Sequence, residues 1–364
     1  MSFLKKIFGK KDDSINSYED FWNWFQKNEQ SFYKVVKEKG NIEKDFFEIL
    51  APKLDQLKED YFYLTGMLDE NTAELILTPD GVIKNIVFVE GLVEAAPVIN
   101  NWKFTALKPA SDIKNLGIQM AGYDFSSENI SFYPNENSSF PDKIDITIIH
   151  NDLNEDNEDV VLNGCYIFLD NFLGELNFAT TIDDLTMAGK DTATQELIPI
   201  KKLKDFLIWR EKEFLEKYEG TRNYTEKDSF SLLKAKLKNG NPLIAVINAD
   251  LLEWDRKASH PWISVVILKY DGEEHNGMPD TETSELMNQI EDEILLELKD
   301  SDGYLNIGRQ TANSEREVYF ACKDFRKPSK VLYSFEQKYA DKIDLSYDIY
   351  KDKYWESFEQ FRKR

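Results

Sequence analysis

The sequence has few of the side chains on which most enzyme active sites depend. Its 364 residues include three histidines and two cysteines. Two cysteines cannot form a disulfide framework, so we expect a reducing, cytoplasmic setting. The scattered histidines leave little material for zinc, and we expect no metal and no cofactor. Walker A, G-x-G-x-x-G, H-E-x-x-H, C-x-x-C and G-x-S-x-G motifs are all missing, which predicts a protein that is not an enzyme.

Long hydrophobic runs and positive charge are also scarce. No apolar run approaches the ~18 residues of a membrane span, and the opening MSFLKKIFGKK lacks the apolar core of a secretory signal. Lys and Arg number 45 against 67 Asp and Glu, a net charge of −22. A field of this sign repels the phosphate backbone, so we expect no direct binding of nucleic acid. The hydrophobic fraction of 41% and aromatic fraction of 13% exclude a disordered chain.

Residues 1–16 read as a flexible basic tail. If helical, this segment places four apolar residues on one side, away from its lysines: Phe3, Leu4, Ile7 and Phe8. Such a pattern leaves open a weak peripheral contact with a membrane surface. One or two turns bury little apolar area, so the pattern favours a frayed tail over an anchor.

Residues 17–222 are predicted to form an α+β domain of unknown function, with helices packed on a mainly antiparallel sheet. Apolar residues recur at helical spacing over 18–38. Two short apolar runs flank Asp69, as in a β-hairpin. The stretch 82–96 fits either a helix or a strand, and 174–182 is predicted to be a strand. The charged stretch 211–228 is the expected domain junction.

Residues 223–364 are predicted to form the second domain. A helix is expected near 228–238, before the main β-rich region. The following pattern reads strand, helix, strand, strand, helix, strand, which is the ferredoxin-like βαββαβ plan. Asp280 or Thr281 is a candidate cap for the first of these helices, and Asn313-Ser314 has the length of a two-residue hairpin turn. The chain as a whole is therefore expected to be α+β with two domains.

The second domain also carries a set of short motifs. They are His260-Pro-Trp-Ile, Asn276-Gly-Met-Pro279, Gly308-Arg-Gln-Thr311, Arg316-Glu-Val-Tyr319 and Tyr354-Trp355. Over about residues 255–362, the sequence resembles the bacterial family labelled domain of unknown function 695. That family is similar to the regulator of ribonuclease activity B, and the resemblance implies a ferredoxin-like fold and action by binding a protein. Ala95-Ala96-Pro97…Trp102 and Leu169–Glu175 resemble another uncharacterised bacterial family.

One group of residues on the predicted hairpin has the chemistry of a ligand site. With Asn313-Ser314 at the turn, alternation puts Arg309, Thr311 and Arg316 on one face. Two guanidinium groups this close are suited to a carboxylate or phosphate, and His275 in a preceding loop is a candidate neighbour. The alternative is that the arginines pair with internal acids, and the abundance of acids favours it.

The other candidate sites favour structural interpretations. Cys165 and Cys322 lie in apolar stretches typical of a core. Asp152, Asn154 and Asp156 match the start of an EF-hand loop, but the required glycine and final glutamate are missing. We therefore expect a non-enzymatic module that binds a basic protein, in the manner of a nuclease or toxin inhibitor. The alternative is an enzyme or sensor that binds a small anion at Arg309 and Arg316.

Overall fold

A computed structural model describes residues 14–362. Its mixture of helices and strands confirms the predicted α+β class. The chain divides into two units, residues 1–109 and 110–364. The predicted boundary between residues 222 and 223 therefore lies inside the second unit, and a further division there remains a prediction. Phe3, Leu4, Ile7 and Phe8 lie outside the described residues.

The first unit has an aromatic core under a small sheet. Its helices are α1 (Tyr18–Lys37), α2 (Glu48–Leu54, after a π-helical turn at Glu43–Phe47) and α3 (Ile83–Glu94). Its strands are β1 (Phe62–Met67), β2 (Ala73–Thr78) and β3 (Trp102–Ala106). The predicted β1–β2 hairpin is confirmed, whereas β3 adds in parallel to β2. The stretch left open between helix and strand forms α3.

The helix α1 begins where its sequence predicts. The side chain of Ser17 accepts a hydrogen bond from the backbone N–H of Asp20, which caps the first turn. The aromatic residues at spacings of three and four are buried: Phe21, Trp22, Trp24, Phe25 and Phe32. The indole N–H of Trp22 donates to the carbonyl of Leu92 at 2.7 Å, which satisfies the polar group of this buried side chain.

The second unit begins with a hairpin and a four-stranded sheet. The strands are β4 (Gly117–Met120), β5 (Tyr123–Ser126), β6 (Ile130–Asn135), β7 (Asp145–His150), β8 (Asp184–Gly189) and β9 (Ile198–Pro199). The helices are α4 (Glu158–Leu173), α5 (Glu175–Thr181) and α6 (Leu203–Tyr218). The sheet order is β8-β7-β6-β9, with β8 parallel to β7. The sheet of the predicted first domain is thus split between two units rather than continuous.

Two predictions of element type are wrong in the second unit. Residues 175–181 form helix α5, because Gly174, at φ +80°, ends α4 and lets a new helix start at once. A Cβ on Gly174 would lie 2.8 Å from the backbone nitrogen of Ala110, so only glycine fits. The predicted helix near 228–238 is strand β10 (Phe230–Lys236). Its apolar residues fit both periods, and pairing with a neighbouring strand decides the outcome.

The rest of the second unit is built on a six-stranded antiparallel sheet. Its other strands are β11 (Pro242–Asn248), β12 (Trp262–Lys269), β13 (Tyr304–Ala312), β14 (Glu315–Cys322) and β15 (Asp344–Lys351). The helices are α7 (Ala249–Leu252), α8 (Thr281–Glu297) and α9 (Arg326–Tyr339), with a closing 3₁₀ segment at Glu356–Phe361. The order is β10-β11-β13-β14-β12-β15. Four of these strands, β15-β12-β14-β13, have the order and connections of the split βαβ plan, and β10–β11 extends it at the β13 edge.

Candidate functional site

The hairpin that carries the candidate arginines has the predicted turn. Asn313 and Ser314 both have positive φ angles, +50° and +66°, as a two-residue type I′ turn requires. Thr311 therefore pairs with Arg316, and Arg309 with Val318. The predicted register is confirmed, and it places Arg309, Thr311 and Arg316 on one face of β13 and β14.

This face of the hairpin lies under helix α8, and Arg309 is paired there. Its Nη1 lies 2.6 Å from Oε2 of Glu291. The Glu291 side chain is almost buried, and that of Arg309 is one-third exposed. Glu291 comes from the buried side of α8, so the ion pair joins the helix to the sheet.

Arg316 is more deeply placed, with 5% of its surface exposed. Its Nε donates to Oγ1 of Thr311 at 3.2 Å, and its Nη1 donates to Oδ1 of Asn288 on α8 at 2.8 Å. Burial and the neighbouring charge of Arg309 lower the pKa of Arg316 from its usual value, and Glu291 opposes this. The arginine face thus makes three side-chain contacts that hold secondary structure together. These contacts favour the structural interpretation, and binding of an anion there remains a prediction.

His275 lies on a loop that packs against the same hairpin turn. The carbonyl of Gly277 accepts hydrogen bonds from the backbone N–H of Ser314 at 2.8 Å and from the Tyr270 hydroxyl at 3.0 Å. A Cβ on Gly277 would lie 2.9 Å from the backbone of Asn313. The imidazole of His275 itself is exposed, so the structure brings its loop, rather than its ring, to the hairpin.

The two cysteines are buried, unbridged thiols. Burial raises the pKa of both Cys165 and Cys322 to about 12. A thiol with such a pKa holds its proton at neutral pH and is a poor nucleophile. Both residues therefore act as core side chains.

The loop that resembles an EF-hand is a turn before helix α4. The Nδ2 of Asn157 donates to the carbonyl of Asp152 at 2.7 Å, and its Oδ1 accepts from the backbone N–H of Asn154 at 2.8 Å. These bonds use the side chains to fix the loop. Across residues 14–362, no group of three or more His, Cys, Asp or Glu side chains is arranged to hold a metal ion. No helix in this part of the chain is long and apolar enough to span a bilayer.

A cleft of about 480 Å³ lies beside helix α6 in the second unit. Phe206 and a half-exposed Trp209 line it, together with Asn135, Asp145 and Arg210. The polar groups mostly contact protein: Asn135 donates to Asp145 at 2.7 Å, and Arg210 donates to backbone carbonyls of the 141–143 loop. The cleft has the size of a ligand site, but its polar groups form no catalytic arrangement.

The exposed side of α8 and the loop before it form a surface that sequence analysis did not single out. No Lys or Arg occurs between Tyr270 and Lys299. We define the α8 acidic face as the exposed acids of this stretch: Asp271, Glu273, Glu274, Asp280, Glu282, Glu285, Asp292 and Glu297. Two further acids here, Glu291 and Glu293, form ion pairs with Arg309 and Lys338. The distribution of charge along the sequence was the signal that could have revealed this face.

Comparison with known proteins finds a family match for one part of the chain. No curated protein and no solved structure matches the chain. A family model matches residues 235–362. This match begins 20 residues before the predicted resemblance over 255–362, and it confirms that resemblance. The relation to the regulator of ribonuclease activity B and the resemblance of the N-terminal part remain predictions. The C-terminal part of this chain is thus a match to a family whose function is itself unknown, DUF695.

Proposed function

We propose that this protein is a non-enzymatic, cytoplasmic module that binds a basic protein partner through the α8 acidic face. The observation that carries the proposal is the stretch between Tyr270 and Lys299, where acids crowd an exposed surface and no Lys or Arg is present. The partner would be a protein of the nuclease or toxin class, and binding would inhibit its activity.

The arrangement of the acids supports a binding role. Glu291 and Glu293 are the carboxylates of α8 that pair with arginine or lysine, whereas Glu282, Glu285 and Asp292 are exposed on the same helix. A rigid helix that presents several negative carboxylates raises the rate of encounter with a basic protein surface and disfavours binding of acidic proteins.

An apolar contact is available at the end of the same helix. Leu296 is 69% exposed, and Leu295 beside it is also exposed. Charged rims steer association, whereas apolar side chains at the centre of an interface supply much of the affinity. The C-terminal end of α8 therefore offers the apolar component that an acidic face alone would lack.

The experiment is affinity capture from the host lysate with the full chain and two charge-reversal variants. The first variant, Glu282→Lys, Glu285→Lys and Asp292→Lys, changes the α8 acidic face. The matched variant makes three equivalent changes at exposed acids in the loop before α4 and in the first turn of that helix: Glu155→Lys, Asp156→Lys and Asp159→Lys. Capture of a basic protein that is lost in the first variant, kept in the second and weakened by salt supports the proposal. Equal capture by both variants would overturn it.

A further inference from the structure

The strand β10 is an open edge of the six-stranded sheet. It pairs with β11 from Phe230, opposite Asn248, to Lys236, opposite Pro242. Within the described part of the chain, no strand lies on its other side. An edge of this kind presents a row of backbone N–H and C=O groups to which another strand can add.

Apolar side chains at this edge are exposed. Phe230 is 52% exposed and Leu232 is 60% exposed, and they alternate along the strand with the half-buried Leu233. Leu233 packs against the core cluster of the sheet, so one side of β10 is occupied by core and the other carries Phe230 and Leu232. The side chains of a strand added here would cover part of the exposed surface of both residues.

The charge at this edge is opposite to that of the chain as a whole. Residues 229–249 contain no Asp or Glu, although the net charge of the protein is −22. They contain Lys234, Lys236 and Lys238, and all three are exposed. Lysines on an edge strand oppose pairing with an identical strand, because a second copy would bring the same charges. The same lysines attract a strand that carries acids.

We propose that β10 binds an extended segment of an acidic partner by strand addition. The backbone ladder would supply main-chain hydrogen bonds, apolar residues of the segment would contact Phe230 and Leu232, and its carboxylates would pair with Lys234 and Lys236. Phe230, Leu232, Lys234 and Lys236 are at alternate positions of the strand and lie on one face of it. The ligand is thus a peptide strand that carries apolar residues and then acidic residues along one face. This surface is separate from the α8 acidic face, and the proposal does not depend on the proposed function.

The test measures binding of a labelled, capped heptapeptide to the full chain by fluorescence anisotropy. The peptide has Val at positions 1 and 3, Glu at positions 5 and 7 and Thr between them, and its reversed sequence is measured as well, so that both strand directions are covered. Saturable binding that weakens with salt is expected. The variant Lys234→Glu, Lys236→Glu and Lys238→Glu should weaken it by at least about tenfold, because attraction becomes repulsion. The matched variant changes three exposed lysines elsewhere in the second unit, Lys299→Glu, Lys330→Glu and Lys342→Glu, and should bind as the native chain does.

A second peptide separates strand addition from simple charge attraction. Methylation of alternate backbone nitrogens along the edge that faces β10 removes hydrogen-bond donors and leaves the side chains unchanged. Loss of binding by the methylated peptide supports strand addition. Equal binding of both peptides, or equal weakening in the two lysine variants, would overturn the proposal. Light scattering that shows a dimer dispersed by Leu232→Lys would also overturn it, since the occupant would then be a second copy.

Discussion

The Nζ of Lys353 lies 2.6 Å from Oδ2 of Asp183, and both side chains are almost fully buried. Lys351 approaches the other carboxylate oxygen, Oδ1, at 2.7 Å. The carboxylate of Asp183 therefore pairs with two lysines, one at the last residue of β15 and the other two residues after that strand. The Nζ of Lys353 also donates to the backbone carbonyl of Asp142 at 2.9 Å, and the Asp142 carboxylate accepts hydrogen bonds from the hydroxyl groups of Tyr354 at 2.7 Å and Tyr218 at 2.8 Å. This cluster joins the four-stranded sheet of the second unit to its six-stranded sheet.

Removal of the Asp183 charge should destabilise the second unit strongly. In Asp183→Asn, two lysines lose their carboxylate, and one of them is buried. Breaking a buried ion pair costs about 3–5 kcal/mol. The matched control is the adjacent Asp184→Asn, since Asp184 is half-exposed and pairs with Lys143 at 3.0 Å. It should cost less than about 1 kcal/mol. Urea unfolding of the full chain measures both, and equal losses would contradict the prediction.

Lys353 should make stability rise with pH in the alkaline range. Burial and the neighbouring charge of Lys351 lower its pKa to about 8, from the usual 10.5 of a lysine. Between these values the unfolded chain binds more protons, so the free energy of unfolding increases as pH rises, by up to about 1.4 kcal/mol per unit. Unfolding curves from about pH 8 to 10 should show a steeper rise for the native chain than for Lys353→Met. Parallel curves would contradict this prediction.

His260 should make the protein sensitive to mild acid. Burial, together with the charge of Lys323, lowers its pKa to about 3 from 6.5, and its buried Nε2 has no hydrogen-bond partner among residues 14–362. Below pH 6.5 the unfolded chain gains a proton that the folded chain resists, so stability falls as pH falls towards 3. His260→Asn should reduce this slope by up to about 1.4 kcal/mol per unit. Above neutral pH, the two stability curves should run parallel.

The contact of Arg309 with Glu291 predicts a specific rescue. Arg309→Ala leaves the nearly buried Glu291 without its partner and should cost roughly 1–3 kcal/mol of stability. Adding Glu291→Gln removes the stranded charge, so the double variant should be more stable than Arg309→Ala alone. Thermal unfolding of the native chain, the two single variants and the double variant measures these differences.

If the arginine face binds an anion instead, phosphate should raise the melting temperature of the native chain and not that of Arg316→Ala.

Local patterns predicted those parts of the fold that local chemistry determines. Asn313-Ser314 gives the hairpin turn because it has the two-residue length of a type I′ turn and Asn tolerates positive φ, and Asp280 caps α8 by accepting from the backbone N–H of Thr283. The strand β10 was missed because its short apolar run fits a helix as well as a strand. The ion cluster was not predictable, since Asp183 and Lys353 are 170 residues apart and nothing local links them.

The region matched by the family model begins later in the chain than the folded unit that contains it. The match begins at residue 235, inside strand β10. A protein fragment cut there would lose the contacts that Arg222 makes with the carbonyl of Ser301 and Thr225 makes with Asp300. Loss of most of β10 would also leave β11 at the edge of the sheet and expose its apolar residues to water. Such a fragment should aggregate on expression. A fragment spanning residues 110–364 keeps the whole second unit, and it is therefore the better starting point for recombinant work on the C-terminal part of this chain.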